Sequence, residues 1–276
     1  MQNNNAVSEH YVHGDLLKSI KTAITKLGKT IDTVSIDDLA PVDEFHIGGR
    51  LATENFFSQL NFRQDDHILD VGCGLGGASR FVANKFNNHV TGIDLTSEYI
   101  ETGNSLTSWV NMQNQINLKQ ENALSMSFEN DLFDGGFMMH VGMNIENKDQ
   151  LFKEISRVLS TGSTFGVYDI MRNKDGELTY PVPWSSETST NNLATIDQYK
   201  KALTNAGFTI TIINNRSDFA LSFFKELREK TKSNGGQSPL GLHTLMKDST
   251  PIKLKNMVEG ISAELIFPIE IIAQKK

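Results

Sequence analysis

A glycine-rich turn behind an acid-bearing strand constrains this chain more than any other feature. In Asp70-Val71-Gly72-Cys73-Gly74-Leu75-Gly76-Gly77 the glycines follow a short apolar run, His67 to Val71. They precede Ala78, Phe81, Val82 and Phe86, which fall at helical spacing. The run predicts a buried strand and the spacing predicts a helix. The glycines between them let the backbone turn sharply and let a ligand approach closely.

Strand and helix patterns alternate beyond this turn. His89 to Leu95, Leu118 to Asn122, Phe133 to His140 and Thr164 to Ile170 are predicted strands. A long helix from Ser97, as N-cap, to about Gln115 follows the first of these, and a helix from Asp149 to Leu159 precedes the last. Such alternation signals an α/β fold with a parallel sheet covered by helices. A helix near Ile196 to Ala206 and a strand from Thr209 to Ile213 follow. The stretch 217–265 is too long for a turn and is expected to form a helical cap insertion before the last strand, Ile266 to Ile272. Its helices are placed at about Phe219 to Lys230 and Ile252 to Leu265, broken near Ser233-Asn234-Gly235-Gly236. Residues 1–60 read as an N-terminal helical segment. Its first few residues are expected to be frayed, with a helix from Asp15 to Leu27, a linker from Thr30 to Pro41 and a second helix from Gly48 to Leu60. All 276 residues are expected to form one domain.

The chemistry starts at the strand ends. Asp94 closes the second predicted strand, where a carboxylate accepts hydrogen bonds from ribose hydroxyls. Gly72, Gly74 and Gly77 also satisfy the G-x-G-x-x-G fingerprint of dinucleotide enzymes, which alone is a weak signal. Asp70 separates the two readings. Its carboxylate sits where a dinucleotide would bring its pyrophosphate and would repel it, whereas it suits the ammonium group of S-adenosylmethionine. Cys73 reads as a small spacer in the loop, because its chain context supplies no base to activate a thiol.

Leu69 to Gly77, followed by Val90-Thr91-Gly92-Ile93-Asp94-Leu95, resembles motifs I and II of class I S-adenosylmethionine-dependent methyltransferases, within the small-molecule branch known as methyltransferase type 11 or UbiE-like. Phe133-Asp134, Arg157-Val158-Leu159 with Gly162, and Ala206-Gly207-Phe208 resemble further motifs of the family. The resemblance covers about residues 45 to 215. It implies a Rossmann-like sheet of seven strands ordered 3-2-1-4-5-7-6, the last one antiparallel. It implies that Gly72, Gly74 and Gly76 line the methionine moiety, Asp94 holds the ribose and Leu95 packs on adenine. Asn122 takes the place of the family's acidic residue near the adenine amino group, Ala123 presents backbone there, and His140 borders the methyl-transfer site. S-adenosylhomocysteine is the implied product. The metal-binding carboxylates of catechol-type relatives are not recognisable, so no metal is expected. An Asn-Pro-Pro-Tyr motif is absent after the fourth strand, where Met139-His140-Val141-Gly142-Met143-Asn144 stands instead.

Methyl transfer from a sulfonium needs proximity, orientation and a dry site, and a base only where the nucleophile is protonated. His140 is the candidate base, being at the carboxyl end of a central strand, where open α/β sheets place their ligands. His46, Arg50, Tyr168, Trp184, His243 and Met246 are candidates for lining the acceptor site, Arg50 also as a partner of the cofactor carboxylate. The expected partner is a small-molecule methyl acceptor. The net charge of −7 weighs against nucleic acid, and no apolar run is long enough to span a bilayer. One cysteine and a start, Met1-Gln2-Asn3-Asn4-Asn5, without a basic, apolar leader point to the cytoplasm, and a homodimer is left open. Two other functions stay in view: a non-catalytic binder of the same cofactor, and a NAD-dependent oxidoreductase.

Overall fold

The computed structural model describes residues 11, 14–233 and 235–276. The frayed start expected for the first few residues and Asn234 of the expected break lie outside them.

The strands are β1 (His67–Val71), β2 (His89–Asp94), β3 (Ile116–Gln120), β4 (Phe133–Met139), β5 (Leu159–Arg172), β6 (Phe208–Asn215) and β7 (Ile266–Lys275). They form one sheet in the order β3-β2-β1-β4-β5-β7-β6. β1 to β5 are mutually parallel, while β7 runs antiparallel to both β5 and β6. This is the expected order, with the expected reversal. Ile68, Leu69, Asp70 and Val71 of β1 are all buried, as in a central parallel strand covered on both faces.

The helices are α1 (Leu16–Lys26), α2 (Ile36–Asp43), α3 (Gly49–Phe57), α4 (Gly77–Phe86), α5 (Ser97–Trp109), α6 (Lys148–Val158), α7 (Ile196–Asn205), α8 (Ser217–Ser233), α9 (His243–Met246) and α10 (Thr250–Ser262). Phe56 and Phe57 of α3 pack with Phe137 against one face of the sheet. Leu151, Phe152, Ile155 and Val158 of α6, spaced for a single helix face, pack against the other.

Three local expectations change. The predicted linker from Thr30 to Pro41 contains α2, which runs through Pro41. Ser35 caps it by accepting from the Asp38 N–H while the Asp38 carboxylate accepts from the Ser35 N–H, a reciprocal box that satisfies two orphan donors. Thr96, not Ser97, is the N-cap of α5, and the helix ends at Trp109 rather than near Gln115, because Asn111 takes a left-handed turn. β5 starts earlier than predicted, at Leu159 beside Phe133 of β4, while its far end and that of β7 extend because the two pair from Thr164↔Gln274 to Arg172↔Ile266.

The sheet order reverses at β1. Val71 lies beside Ile93 of β2 on one side and Met138 of β4 on the other. Connections leave in opposite directions from this point, which opens a crevice above the carboxyl ends of the strands.

Candidate active site

Gly72, at φ +75°, starts the turn after β1. Its N–H and that of Cys73 both donate to the Ile93 carbonyl, at 2.8 and 2.9 Å, which ties the loop to β2. A Cβ on Gly72 would stand 2.3 Å from Cγ2 of Val141, so only glycine fits. Gly72→Ala is expected to cost about 2 kcal/mol, from the left-handed backbone together with the displaced Val141. A lower urea midpoint with an unchanged slope is the measurement; an unchanged midpoint would mean that Val141 moves freely. Gly74, at φ +53°, differs. Its Cβ would meet nothing nearer than Tyr99 Cδ2 at 4.0 Å, so its open side is left for a ligand.

Two acids flank this loop. Asp94 Oδ2 accepts the Gly74 N–H at 3.0 Å, and Oδ1 accepts the Thr96 N–H at 2.9 Å. Each oxygen keeps a further lone pair for an incoming hydroxyl. Burial raises the Asp94 pKa, and these backbone bonds oppose the rise. Asp70 is 2% exposed and accepts the Ser79 hydroxyl at 2.6 Å. Burial, reinforced by the Asp94 charge, pushes its pKa up to about 7. A cation placed beside Asp70 would stabilise its ionised form.

Both acids border a cleft enclosing about 1550 Å³, its mouth included. Asp70, Gly72, Cys73, Gly74, Asp94, Leu95, Asn122 and Ala123 all line it. Asn122 Oδ1 accepts the Leu124 N–H at 2.9 Å, so its amide is partly engaged in its own turn. Burial holds the Cys73 thiol well above its ordinary pKa, in the neutral, unreactive form. Gly76 does not line the cleft. It starts α4 at φ +78°, and a Cβ there would press on Leu118 of β3 at 2.8 Å. Its role is the turn.

The opposite wall is apolar. Phe45 and Ile47 come from the segment before α3, Met139 and Met143 from the end of β4 and the turn after it, and Phe223, Phe224, Leu254 and Met257 from α8 and α10. The helices between β6 and β7 thus help enclose the cleft. Leu242 and Leu245 extend this wall, and Trp184 faces it with its indole N–H bonded to Asn191 Oδ1 at 2.9 Å. Among the described residues, no lysine or arginine lines the cleft, and no three His, Cys, Asp or Glu side chains group as metal ligands.

His140 and His46 both line the cleft, their rings 6.2 Å apart. His46 Nε2 lies 2.9 Å from Thr53 Oγ1 and 3.2 Å from the Gly49 carbonyl, so that atom is occupied. Burial lowers the His46 pKa to about 4. His140 Nε2 is buried without a hydrogen-bond partner. Burial, with a smaller contribution from His46, holds His140 well below the ordinary histidine pKa.

Four sequence candidates lie elsewhere. Arg50 is drawn off by carboxylates, donating to Glu44 Oε1 at 2.6 Å and Asp37 Oδ1 at 2.7 Å, with its guanidinium over the Phe81 ring. Tyr168 is fully buried beneath His140 and donates its hydroxyl to the Ile47 carbonyl at 3.1 Å, so it supports the wall without forming it. His243 lies on α9 away from the cleft lining, and Met246 lines only a small adjoining pocket. Tyr11, Asp43, Tyr99 and Glu121 also line the cleft, beyond the candidates expected from the sequence. Glu121 and Tyr99 have a local signal, since Glu121 lies near the end of a predicted strand and Tyr99 near a predicted helix start.

Residues 68–162 match the family described as a methyltransferase domain. Phosphoethanolamine N-methyltransferase 1 of Zea mays is 27% identical over 193 residues, 68% of this chain and 37% of the relative. The chain spans about a third of the length of the first curated relatives it matches. Among solved structures, geranyl diphosphate C-methyltransferase from Streptomyces coelicolor A3(2) superposes with a TM-score of 0.71 at 17% identity, covering 99% of this chain and 98% of that one. The [4+2]-cyclase SpnF superposes equally well, with a TM-score of 0.71 at 18% identity over 99% and 96% of the two chains. At these identities the two structures speak for the fold. Residues 68–162 thus carry the likeness to a methyltransferase domain, set on a sheet in the order expected for class I S-adenosylmethionine-dependent methyltransferases.

Proposed function

We propose that the chain binds S-adenosylmethionine at the glycine loop and transfers its methyl group to N, O or C of a small-molecule acceptor by in-line displacement. The observation that carries this reading is Asp94. It is a buried carboxylate at the tip of β2, braced by the Gly74 and Thr96 N–H groups, and it borders an open cleft. The residues present fit the cofactor. Asp94 takes the ribose hydroxyls, the open side of Gly74 and the Asp70 carboxylate receive the methionine end with its ammonium group, and Leu95, Asn122 and Ala123 border the adenine. The bound cofactor supplies a methyl group already activated by the sulfonium charge. The chain supplies orientation, an apolar wall that excludes water, and the free nitrogen of His140. Asp70 disfavours a dinucleotide, whose pyrophosphate would meet a carboxylate. The likeness to SpnF, a cyclase, is a reason to test the reaction as well as the binding.

The same reading includes a cytoplasmic setting and no nucleic-acid partner, supported by a single buried cysteine and a net charge of −7. Among the described residues, no helix is long and apolar enough to cross a membrane.

Calorimetry with S-adenosylmethionine, S-adenosylhomocysteine and NAD tests the reading. The first two are expected to bind and NAD is not. Asp94→Ala is expected to weaken S-adenosylhomocysteine by roughly 10- to 100-fold, the loss of at least one hydrogen bond to a charged acceptor. Circular dichroism should show the fold retained. An unchanged affinity in a folded variant would remove Asp94 from the ribose site. Binding without methylation across a broad acceptor panel would leave a non-catalytic binder.

A further inference from the structure

On α10 the buried residues Thr250, Lys253, Met257, Gly260 and Ile261 recur at helical spacing and face inward. A lysine in that stripe is out of keeping with it. Lys253 is only 8% exposed, whereas a lysine at an ordinary surface keeps its ammonium in water. It lines a small pocket with Tyr11, Phe45, Tyr99, Pro183, Leu245 and Met246. Five of these, all but Met246, also line the main cleft, so the two spaces adjoin. The neighbouring Leu254 and Met257 of the same helix face the cleft directly.

No carboxylate or hydrogen-bond acceptor among the described residues pairs with Lys253. Burial lowers its pKa, and no acid among the described residues opposes that shift. Other buried or half-buried cations among the described residues have partners: Arg80 has Asp43, Arg50 has Glu44, and Lys148 has the Ile145 and Asn192 carbonyls. An ammonium on a largely buried side chain with no countercharge is costly to the folded chain. That cost is offset when a ligand brings the missing charge.

We propose that Lys253 is an anion-binding residue of the small pocket beside the cleft and holds a carboxylate or phosphate of a reactant that reaches into it from the cleft. Only the identity of the occupant rests on the methyl-transfer reading. The acids Asp70, Asp94 and Glu121 repel an anion from the glycine-loop side, and Lys253 attracts it to the α10 side. An acceptor with an acidic group and an apolar body would be oriented by that polarity, its body against Phe223, Phe224 and Leu254. The anion has one other source, the carboxylate of the cofactor's own methionine.

The test uses Lys253→Met, which keeps the apolar stem, and Lys253→Arg, which keeps the charge. Protein saturated with S-adenosylhomocysteine is titrated with octanoate, octyl phosphate and octanol. The two anions are expected to bind the unmodified protein at least about tenfold more tightly than octanol, to lose that advantage in Lys253→Met and to keep it in Lys253→Arg. In parallel, S-adenosylhomocysteine is compared with methylthioadenosine, which lacks the amino-acid part. If Lys253→Met weakens the first about tenfold and leaves the second unchanged, the anion site stands and its occupant is the cofactor carboxylate. If neither the octyl anions nor S-adenosylhomocysteine responds to Lys253→Met, the proposal is overturned. Failure of S-adenosylhomocysteine to bind the unmodified protein would sink the methyl-transfer reading instead, and the octyl series run without it would still decide Lys253.

Discussion

Replacing His140 by alanine is expected to lower turnover by roughly 10²- to 10⁴-fold, the range for loss of a true general base, while S-adenosylhomocysteine affinity barely changes. The geometry supports a reactive role over a purely structural one. His140 follows β4 directly, and its backbone N–H donates to the Tyr168 carbonyl at 2.7 Å. Its φ is +56°, a strained left-handed conformation for a residue with a Cβ. The Tyr168 ring packs edge-on beneath the imidazole at 4.9 Å and fixes its plane. Nε2 is left buried at the cleft with nothing to bond.

The pH dependence of turnover would distinguish a base at His140 from an ordinary histidine. Burial keeps the imidazole neutral well below the usual value of about 6.5. Turnover is therefore expected to stay level between pH 8 and 6, where an unperturbed histidine base would lose half its activity near 6.5. The same shift has a stability consequence. The unfolded chain takes up a proton on this ring near pH 6.5 and the folded chain does not, so stability falls as pH drops through that window. His140→Ala should flatten that part of the stability profile. A loss of turnover below about tenfold in the variant would make His140 only a wall residue, and the reaction would then need proximity alone.

The parts of this site that were legible in the sequence are those whose position follows from a few neighbouring residues. The turn from Asp70 to Gly77 and the acid ending β2 can be placed by local spacing, because strand, glycine turn and helix are consecutive. What failed depended on which partner a side chain meets in the fold. Arg50 has the chemistry to meet a carboxylate, and it does, but the carboxylates are its own neighbours Glu44 and Asp37. Tyr168 alternates with Asp169 along β5, and periodicity gives the alternation without saying which side opens on the cleft. Neither does: Tyr168 reaches Ile47 and Asp169 accepts the Tyr199 hydroxyl at 2.6 Å. The apolar wall from Phe223, Phe224, Leu254 and Met257 comes from helices some 80 or more residues after β4, and no local pattern announces that they return to its tip. The linker expected from Thr30 to Pro41 hid α2, whose local signal is Ser35 with Asp38 three residues on.

α2 matters because it carries Asp43, and Asp43 leads to the second large effect. Arg80→Met is expected to destabilise the fold by about 3–5 kcal/mol, the cost of leaving one member of a buried ion pair without its partner. Both side chains are essentially inaccessible, and Arg80 Nη2 meets Asp43 Oδ2 at 2.6 Å. The guanidinium also donates to the Leu75 carbonyl of the glycine loop at 2.7 Å, and to Thr107 Oγ1 at 2.8 Å and the Gly103 carbonyl at 3.3 Å on α5. One side chain thus joins α2, the glycine loop, α4 and α5, and its loss strands several acceptors at once. For a chain of this size the expected fall in melting temperature is roughly 6–20 °C. Removing both charges, Asp43→Leu with Arg80→Met, is expected to recover part of it, because an absent pair costs less than half of one. Cofactor affinity should fall in the single variant even at temperatures where the protein is folded, since Leu75 loses its anchor beside Gly74. If Arg80→Met melts within about 2 °C of the unmodified protein, the pair is not holding the loop, and the rigidity of the turn must come from the Gly72 and Cys73 bonds to Ile93 alone.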